Sequence, residues 1–199
     1  MLSVNIFSSC DNPELGAHLP ALWDHSIAVA RLAQRVASSQ GCTKAYGEES
    51  FTAGLLHDVG KVIFLSEMAG KYRKILGTNP GTILASELEH FGCTHPQIGA
   101  YLMSIWGLPT HLVHAVAFHH SPSETGETQF SLLTAIHVAD AIASATNTST
   151  LNQDIEMDFH YLDCLKLRER ETLWRSFHEE HLAAKAQCES VEKKGSGCR

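Results

Sequence analysis

The chain has 199 residues, 44% hydrophobic and 19% charged, a balance typical of a folded globular protein and unlike that of a disordered one. Its 15 basic and 22 acidic residues give a formal net charge of −7, and no run of lysines or arginines forms a basic stripe, which disfavours a nucleic-acid partner. No apolar stretch reaches the roughly 20 residues of a membrane span, and the six cysteines form no CxxC pair, so a reducing cytoplasm is the expected compartment.

Helical periodicity dominates the first half of the chain. Apolar residues recur at steps of three and four from 13 to about 40, which predicts a helix that Gly41 ends. A second helix is predicted from about 47 to 57, with Gly60 as its breaker. The segment 61–77 predicts one or two further helical pieces.

The middle of the chain predicts three more helices. The NPGT segment at 79–82 predicts a turn, and a short helix follows at 83–91. Thr94 is typical of an N-cap, so a helix is predicted from there to Gly107. Pro109 then begins a helix that is predicted to run to His119 and His120.

The last third is also predicted to be helical. After a polar loop at 121–129, a long apolar helix is predicted at 130–145, and one or two amphipathic helices at 162–185. No β-alternation of useful length occurs, so the predicted fold class is all-α, a helical bundle. The predicted organisation is a remnant or linker at 1–13, a domain at 14–185 and a disordered tail at 186–199.

Several polar residues interrupt the apolar helical faces, on five separate segments. Burying such groups without partners would cost a few kcal/mol each, and a shared cation would remove that cost. Helical bundles build metal sites in this way, from side chains on facing helices. The sequence therefore predicts one or two divalent ions (Fe, Mn or Zn), with these ligands: His25, His57, Asp58, His95, His119, His120 and Asp140.

Adjacent pairs of polar residues also support a prediction of catalytic activity. Neighbouring side chains at a helix end diverge by about 100°, so His57 and Asp58 could flank one ion, or the carboxylate could bridge two. Two such ions could activate water against a phosphate ester. Lys61 could place an ammonium group near the phosphate, so Asp58 and Lys61 are the predicted catalytic residues.

Alternatives remain for individual residues. A single buried histidine more often has a structural hydrogen bond than a metal, and Lys61 could be a solvated lysine after a helix end. His90 and His95 compete for one ligand position, for which His95 is preferred. His137 could touch the site or lie behind its ligands, and His120 could point outward.

The motifs, taken in order, resemble the HDOD domains of the HD superfamily of metal-dependent phosphohydrolases. They are LWDHS at 22–26, FTAGLLHDVGKVIF at 51–64, ELEHFGCTHPQIGAYLMSIWGLP at 87–109, AVAFHHSP at 115–122 and IHVADAIA at 136–143. The resemblance implies an HD-type helical bundle with a metal pocket. It implies that the core HD ligands are His25, His57, Asp58 and Asp140. It also implies further ligands, as in binuclear HD-GYP phosphodiesterases, at His95, His119 and His120.

The sequence departs from the family patterns in two places. HHSPSETGE stands where a GYP triplet would follow the paired histidines, so hydrolysis of cyclic di-GMP is not expected. HDOD proteins usually carry a further helical half before the LWxHS motif, so a truncated member is expected here. Many HDOD proteins have lost metal ligands and act as signalling modules, whereas this chain keeps a full set.

Two functions are therefore expected. The first is a signal-transduction domain whose metal site is non-catalytic or weakly catalytic, working with a protein partner or signalling domain. The alternative is an active metal-dependent phosphohydrolase that takes a nucleotide-like phosphoester. For the first function, Trp174 and Phe177 in the amphipathic stretch 162–185 are a candidate partner surface, as is the N-terminal edge of the chain.

Overall fold

The computed structural model describes residues 13–76, 83–146 and 156–195, which contain α-helices and no strand, so the predicted all-α class is confirmed. The predicted turn at 79–82 and residues 1–12 lie outside these ranges. The helices are α1 (Pro13–Ser39), α2 (Lys44–Leu56), α3 (Val59–Glu67), α4 (Ala69–Leu76), α5 (Ile83–Phe91), α6 (His95–Ile105), α7 (Thr110–Phe118), α8 (Leu132–Ala145), α9 (Phe159–Cys164) and α10 (Glu171–Gly195).

Local signals set most helix ends where the sequence predicts them. Gly41 follows α1 at a φ of 76°, a left-handed conformation that glycine adopts without steric cost, and its N–H donates to the carbonyl of Ser38 at 3.0 Å. Helix α2 begins earlier than predicted, because the Thr43 hydroxyl accepts a hydrogen bond from the N–H of Tyr46 at 3.3 Å and so acts as the N-cap.

The predicted helix break at Gly60 is wrong. The break between α2 and α3 lies at His57 and Asp58, and Gly60 is inside α3. A Cβ atom at position 60 would lie 2.0 Å from the carbonyl oxygen of His95. Glycine is therefore required here for the close approach of α3 to the beginning of α6, and not for a turn.

Helix α8 runs through the centre of the described fold. All of its residues from Leu132 to Ser144 are buried, which fits a helix that is hydrophobic around its whole circumference. Two ionisable side chains, His137 and Asp140, lie in the middle of this helix and are fully buried. Such groups require polar partners from the surrounding helices.

The C-terminal helix differs from the prediction in two respects. Helix α10 continues to Gly195 and therefore passes through most of the predicted tail at 186–199; the domain limits of 14–185 remain a prediction. Trp174 is fully buried in the main core cluster and its Nε1 donates to the hydroxyl of Ser39 at 3.1 Å, while Phe177 packs against the same cluster. Trp174 is thus a core residue, and the proposed partner surface at this position is wrong.

In the described ranges, no helix combines the length and the apolar character that crossing a bilayer requires.

Candidate metal centre

Five helical segments bring all the predicted ligands to one place. The donors come from the middle of α1, the junction of α2 and α3, the first residue of α6, the end of α7 and the middle of α8. Their nitrogen and oxygen atoms form three overlapping groups, and within each group these atoms lie within 4.8 Å of one another. Together the groups contain His25, His57, Asp58, His95, His119, His120 and Asp140.

Two of these groups define two candidate ion positions. We call one the HD position, formed by His25, His57 and Asp58, and the other the histidine-rich position, formed by Asp58, His95, His119 and His120. The third group joins them through His57, His119 and Asp140. Asp58 belongs to both positions, and its Oδ2 faces His57 while its Oδ1 faces His95. A bridge between two ions through this carboxylate stays a prediction.

The contacts within the centre are short. In the HD position, Oδ2 of Asp58 lies 3.9 Å from Nε2 of His25 and 3.3 Å from Nε2 of His57. Nε2 of His25 also lies 3.0 Å from Oδ1 of Asp140, which belongs to the third group. In the histidine-rich position, Nε2 of His95 lies 3.3 Å from Oδ1 of Asp58. The donors are buried, apart from His120, which is partly exposed and whose Nε2 lies 2.9 Å from that of His95.

The hydrogen bonds of the imidazoles fit a metal site. Nδ1 of His57 lies 2.7 Å from the carbonyl of Gly54, and Nδ1 of His119 lies 2.7 Å from the carbonyl of Val116. A carbonyl only accepts, so each Nδ1 carries a proton and each Nε2 is the ring nitrogen left to bind an ion at the centre.

Four buried nitrogen and oxygen atoms of the candidate ligands face the centre and have no hydrogen-bond partner among the described residues. They are Nε2 of His57, Nε2 of His119, Oδ1 of Asp58 and Oδ2 of Asp140. Leaving buried polar atoms unsatisfied costs about 1–3 kcal/mol each. A divalent cation would satisfy lone pairs of this kind on nitrogen and on carboxylate oxygen, so the residues present fit such an ion.

Electrostatic interactions set the charge states of the donors. Burial alone would raise the pKa of Asp58, but the charges on His57 and Lys61 hold it well below its ordinary value. Burial opposes charge on His57, yet Asp58 and Asp140 raise its pKa to about 10, so an ion that binds Nε2 would displace a proton from it. Burial and the neighbouring His57 lower the pKa of His119 to about 3. The carboxylates are therefore ionised, and they favour positive charge where a cation would bind.

Lys61 is buried beside this centre and is not the solvated lysine of the alternative interpretation. Its Nζ donates to Oδ2 of Asp58 at 2.9 Å, and the residue is 1% exposed. The ammonium group therefore lies close to the carboxylate that the two candidate ion positions share. Its predicted contact with a substrate phosphate stays a prediction.

The structure separates the competing histidines. His90 is exposed and its Nδ1 donates to the carbonyl of Ser86 at 2.9 Å, so His95 alone of the two faces the centre. His137 lies behind the ligands, because its Nδ1 donates to the carbonyl of His119 at 2.8 Å. Its Nε2 accepts the N–H of Asp158 at 2.8 Å, so both ring nitrogens of His137 are used away from the ion positions.

Sequence reasoning missed Glu87. This residue of α5 is fully buried, and its carboxylate lies 2.8 Å from Nδ1 of His95. Burial opposes its ionisation, but His95 lowers the pKa of Glu87 below its ordinary value. A signal was present in the sequence: Glu87 lies midway between Ile83 and Phe91 at helical steps of four, and both pack against the core.

Comparisons with known proteins show which family this chain is similar to. The sequence model of the HDOD domain matches residues 1–122. The chain is also similar to ribonuclease Y of Deinococcus radiodurans, with 36% identity over 121 residues, which cover 61% of this chain and 16% of the relative. The chain thus spans well under two thirds of the length of that relative.

Solved structures share the fold. One is an HDOD domain protein from Geobacter sulfurreducens (TM-score 0.65, 20% identity, covering 82% of this chain and 59% of the other). Another is the HD domain of the L. monocytogenes phosphodiesterase PgpH (TM-score 0.54, 16% identity, covering 87% and 99%), which has also been solved in complex with cyclic-di-AMP. With a family model that matches more than half of its length and the helical fold of its solved relatives, this chain belongs to the HDOD family of the HD superfamily.

Proposed function

We propose that this chain is a signal-transduction domain that binds one or two divalent ions, Fe, Mn or Zn, in its HD site. The observation that carries the proposal is the protonation pattern of the centre. Backbone carbonyls accept the Nδ1 protons of His57 and His119, so the Nε2 atom of each ring is left facing the centre. Neither Nε2 atom has a hydrogen-bond partner among the described residues, and the same holds for Oδ1 of Asp58 and Oδ2 of Asp140.

In this proposal the ion links the helices that supply its donors. The site joins the middle of α1 to the middle of α8, to the ends of α2 and α7 and to the beginning of α6. Binding an ion would offset the repulsion and desolvation of the gathered carboxylates, so loss of the ion would loosen these five helices together. A protein partner or attached signalling domain would detect that change.

Burial favours binding over turnover as the main role. The Asp58 and His57 side chains are at most 1% exposed, and His120 is the donor that remains partly exposed. A phosphoester would therefore have to reach the ions from the side of His120. A domain that senses or holds an ion does not need such access.

The second candidate is a metal-dependent phosphohydrolase. It is favoured by a donor set sufficient for two ions that share Asp58, and by the buried ammonium of Lys61 at 2.9 Å from that carboxylate. When bound, divalent ions supply a Lewis acid and a site for activating water. Asp58 would hold the ions together, and Lys61 would neutralise an incoming phosphate. The complex of the PgpH domain with cyclic-di-AMP makes a nucleotide phosphoester the ligand class to test first.

Chelation tests the proposal and separates the two candidates. A metal-binding domain is stabilised by about 2.7 kcal/mol when the ion is at a hundredfold excess over its Kd, or roughly 5–10 °C in Tm for a chain of this length. We expect EDTA to lower the Tm by that amount and Mn²⁺ or Fe²⁺, added anaerobically, to restore it. Bis(p-nitrophenyl) phosphate, cyclic-di-AMP and a single-stranded RNA then serve as hydrolysis probes.

Each outcome has a distinct meaning. A metal-dependent Tm without hydrolysis supports the signalling domain, whereas hydrolysis that requires both the ion and Lys61 supports the phosphohydrolase. A Tm that neither EDTA nor added metal changes contradicts both candidates. An exposed variant, Asp24→Asn, provides the matched control, because Asp24 pairs with Lys185 at the surface and not with the centre.

A further inference from the structure

Glu87 holds His95 at both the backbone and the ring. Its Oε2 accepts the backbone N–H of His95 at 2.7 Å and the ring Nδ1–H at 2.8 Å. Its Oε1 accepts the hydroxyl of Tyr72 at 2.8 Å. All of these groups are buried, so the carboxylate fixes the position and rotation of the His95 imidazole in a region that excludes water.

This arrangement makes His95 different from the other ligands. His57 and His119 donate their Nδ1 protons to neutral backbone carbonyls, whereas His95 donates its proton to a carboxylate. A charged acceptor draws the proton more strongly and leaves more electron density on Nε2. Nε2 of His95 is therefore the strongest electron-pair donor of the three, and Glu87 adds a buried negative charge behind the centre.

The effect is local to one ion position. His95 belongs to the histidine-rich position, with Asp58, His119 and His120, and to neither of the other two donor groups. Glu87 is itself outside all three groups. A change at Glu87 therefore reaches the histidine-rich position through His95 and has no such route to the HD position.

We propose that Glu87 is the positioning residue that sets the metal affinity of the histidine-rich position, while the HD position fills independently of it. The proposal rests on the proposed function, because it requires that the centre binds divalent ions. The two positions then differ in what sets their affinity. The chain holds one ion in the HD position, and it holds a second ion in the histidine-rich position at an affinity that Tyr72 and Glu87 determine.

The test is calorimetric titration of the apo protein with Mn²⁺, for the wild type and the variant Glu87→Gln. The glutamine has nearly the same shape but removes the charge. We expect the binding step of the histidine-rich position to weaken by about 10- to 100-fold, the usual effect of losing an outer partner of a ligating histidine. His120→Ala removes a ligand of that position alone and identifies which binding step it is.

A purely structural role would give a different result. It would lower the unfolding free energy of the apo protein and weaken every binding step, whereas the proposal predicts a change in one step. Tyr72→Phe keeps the carboxylate and removes one of its hydrogen bonds, so we expect a smaller loss at the same step. Tyr72→Phe also decides the question if Glu87→Gln does not fold.

The proposal is overturned if Glu87→Gln leaves every step within twofold of the wild type, or if it weakens the step that His120→Ala leaves unchanged. A wild-type protein that binds no Mn²⁺ instead contradicts the proposed function itself. These two failures are distinguishable because the wild type is titrated first.

Discussion

Replacing Asp58 with asparagine is expected to abolish tight binding at both ion positions. Asp58 is the carboxylate common to the two positions, and its Oδ1 has no hydrogen-bond partner among the described residues. Asparagine removes the negative charge and replaces one oxygen with an NH₂ group that cannot ligate a cation. The loss in affinity should exceed the roughly 100-fold that loss of an outer partner causes.

The same substitution also removes an ion-pair partner of buried Lys61 and so destabilises the fold. Its effect on stability must therefore be measured separately from its effect on metal binding. Breaking a buried pair from one side costs about 3–5 kcal/mol. The double variant Asp58→Asn/Lys61→Met removes both charges and should recover most of that stability, measured by urea unfolding of the apo protein, without recovering metal. Metal binding by the double variant at wild-type affinity would contradict the assignment of Asp58 as the shared ligand.

Gly60→Ala is expected to weaken metal binding although Gly60 is not one of the candidate ligands. The new Cβ would lie 2.0 Å from the carbonyl oxygen and 2.8 Å from the carbonyl carbon of His95, both backbone atoms that cannot rotate away. Helices α3 and α6 must therefore separate, which should lower the free energy of unfolding by about 3 kcal/mol. His95 moves with α6, so the histidine-rich position should weaken as well.

Gly70→Ala is the matched control for that variant. Gly70 lies inside α4, and a Cβ there meets no atom within 4 Å. Alanine should therefore raise the unfolding free energy by about 0.5–1 kcal/mol through its helix propensity, with metal affinity unchanged. Equal stability changes in Gly60→Ala and Gly70→Ala, measured by urea unfolding, would show that the contact with His95 is not constraining.

The convergence of donors could be expected from sequence because each donor breaks an apolar pattern. Asp140 stands in the helix IHVADAIA, and His57 with Asp58 follows the apolar GLL. A buried polar group needs a partner, and several such groups on different helices suggest a shared one. The structure places these groups within 4.8 Å of one another in overlapping sets.

Other features depend on tertiary contacts that a local pattern does not carry. Gly60 has the composition of a helix breaker, but the approach of the His95 carbonyl decides its role. Trp174 would lie on the apolar face of an amphipathic helix whether that face binds a partner or packs into the core. Only the packing of α10 against α1 shows that this face is core. Glu87 is one of two glutamates in ELEH, and its burial distinguishes it from exposed Glu89.

The central claim is that the gathered histidines and aspartates bind a divalent metal. Elemental analysis of anaerobically purified wild-type protein, beside Asp58→Asn prepared in the same way, tests it most directly. We expect about one or two equivalents of Fe, Mn or Zn per wild-type chain and a large loss in the variant. Wild-type protein that holds no more metal than Asp58→Asn, both as purified and after anaerobic reconstitution, would contradict the claim.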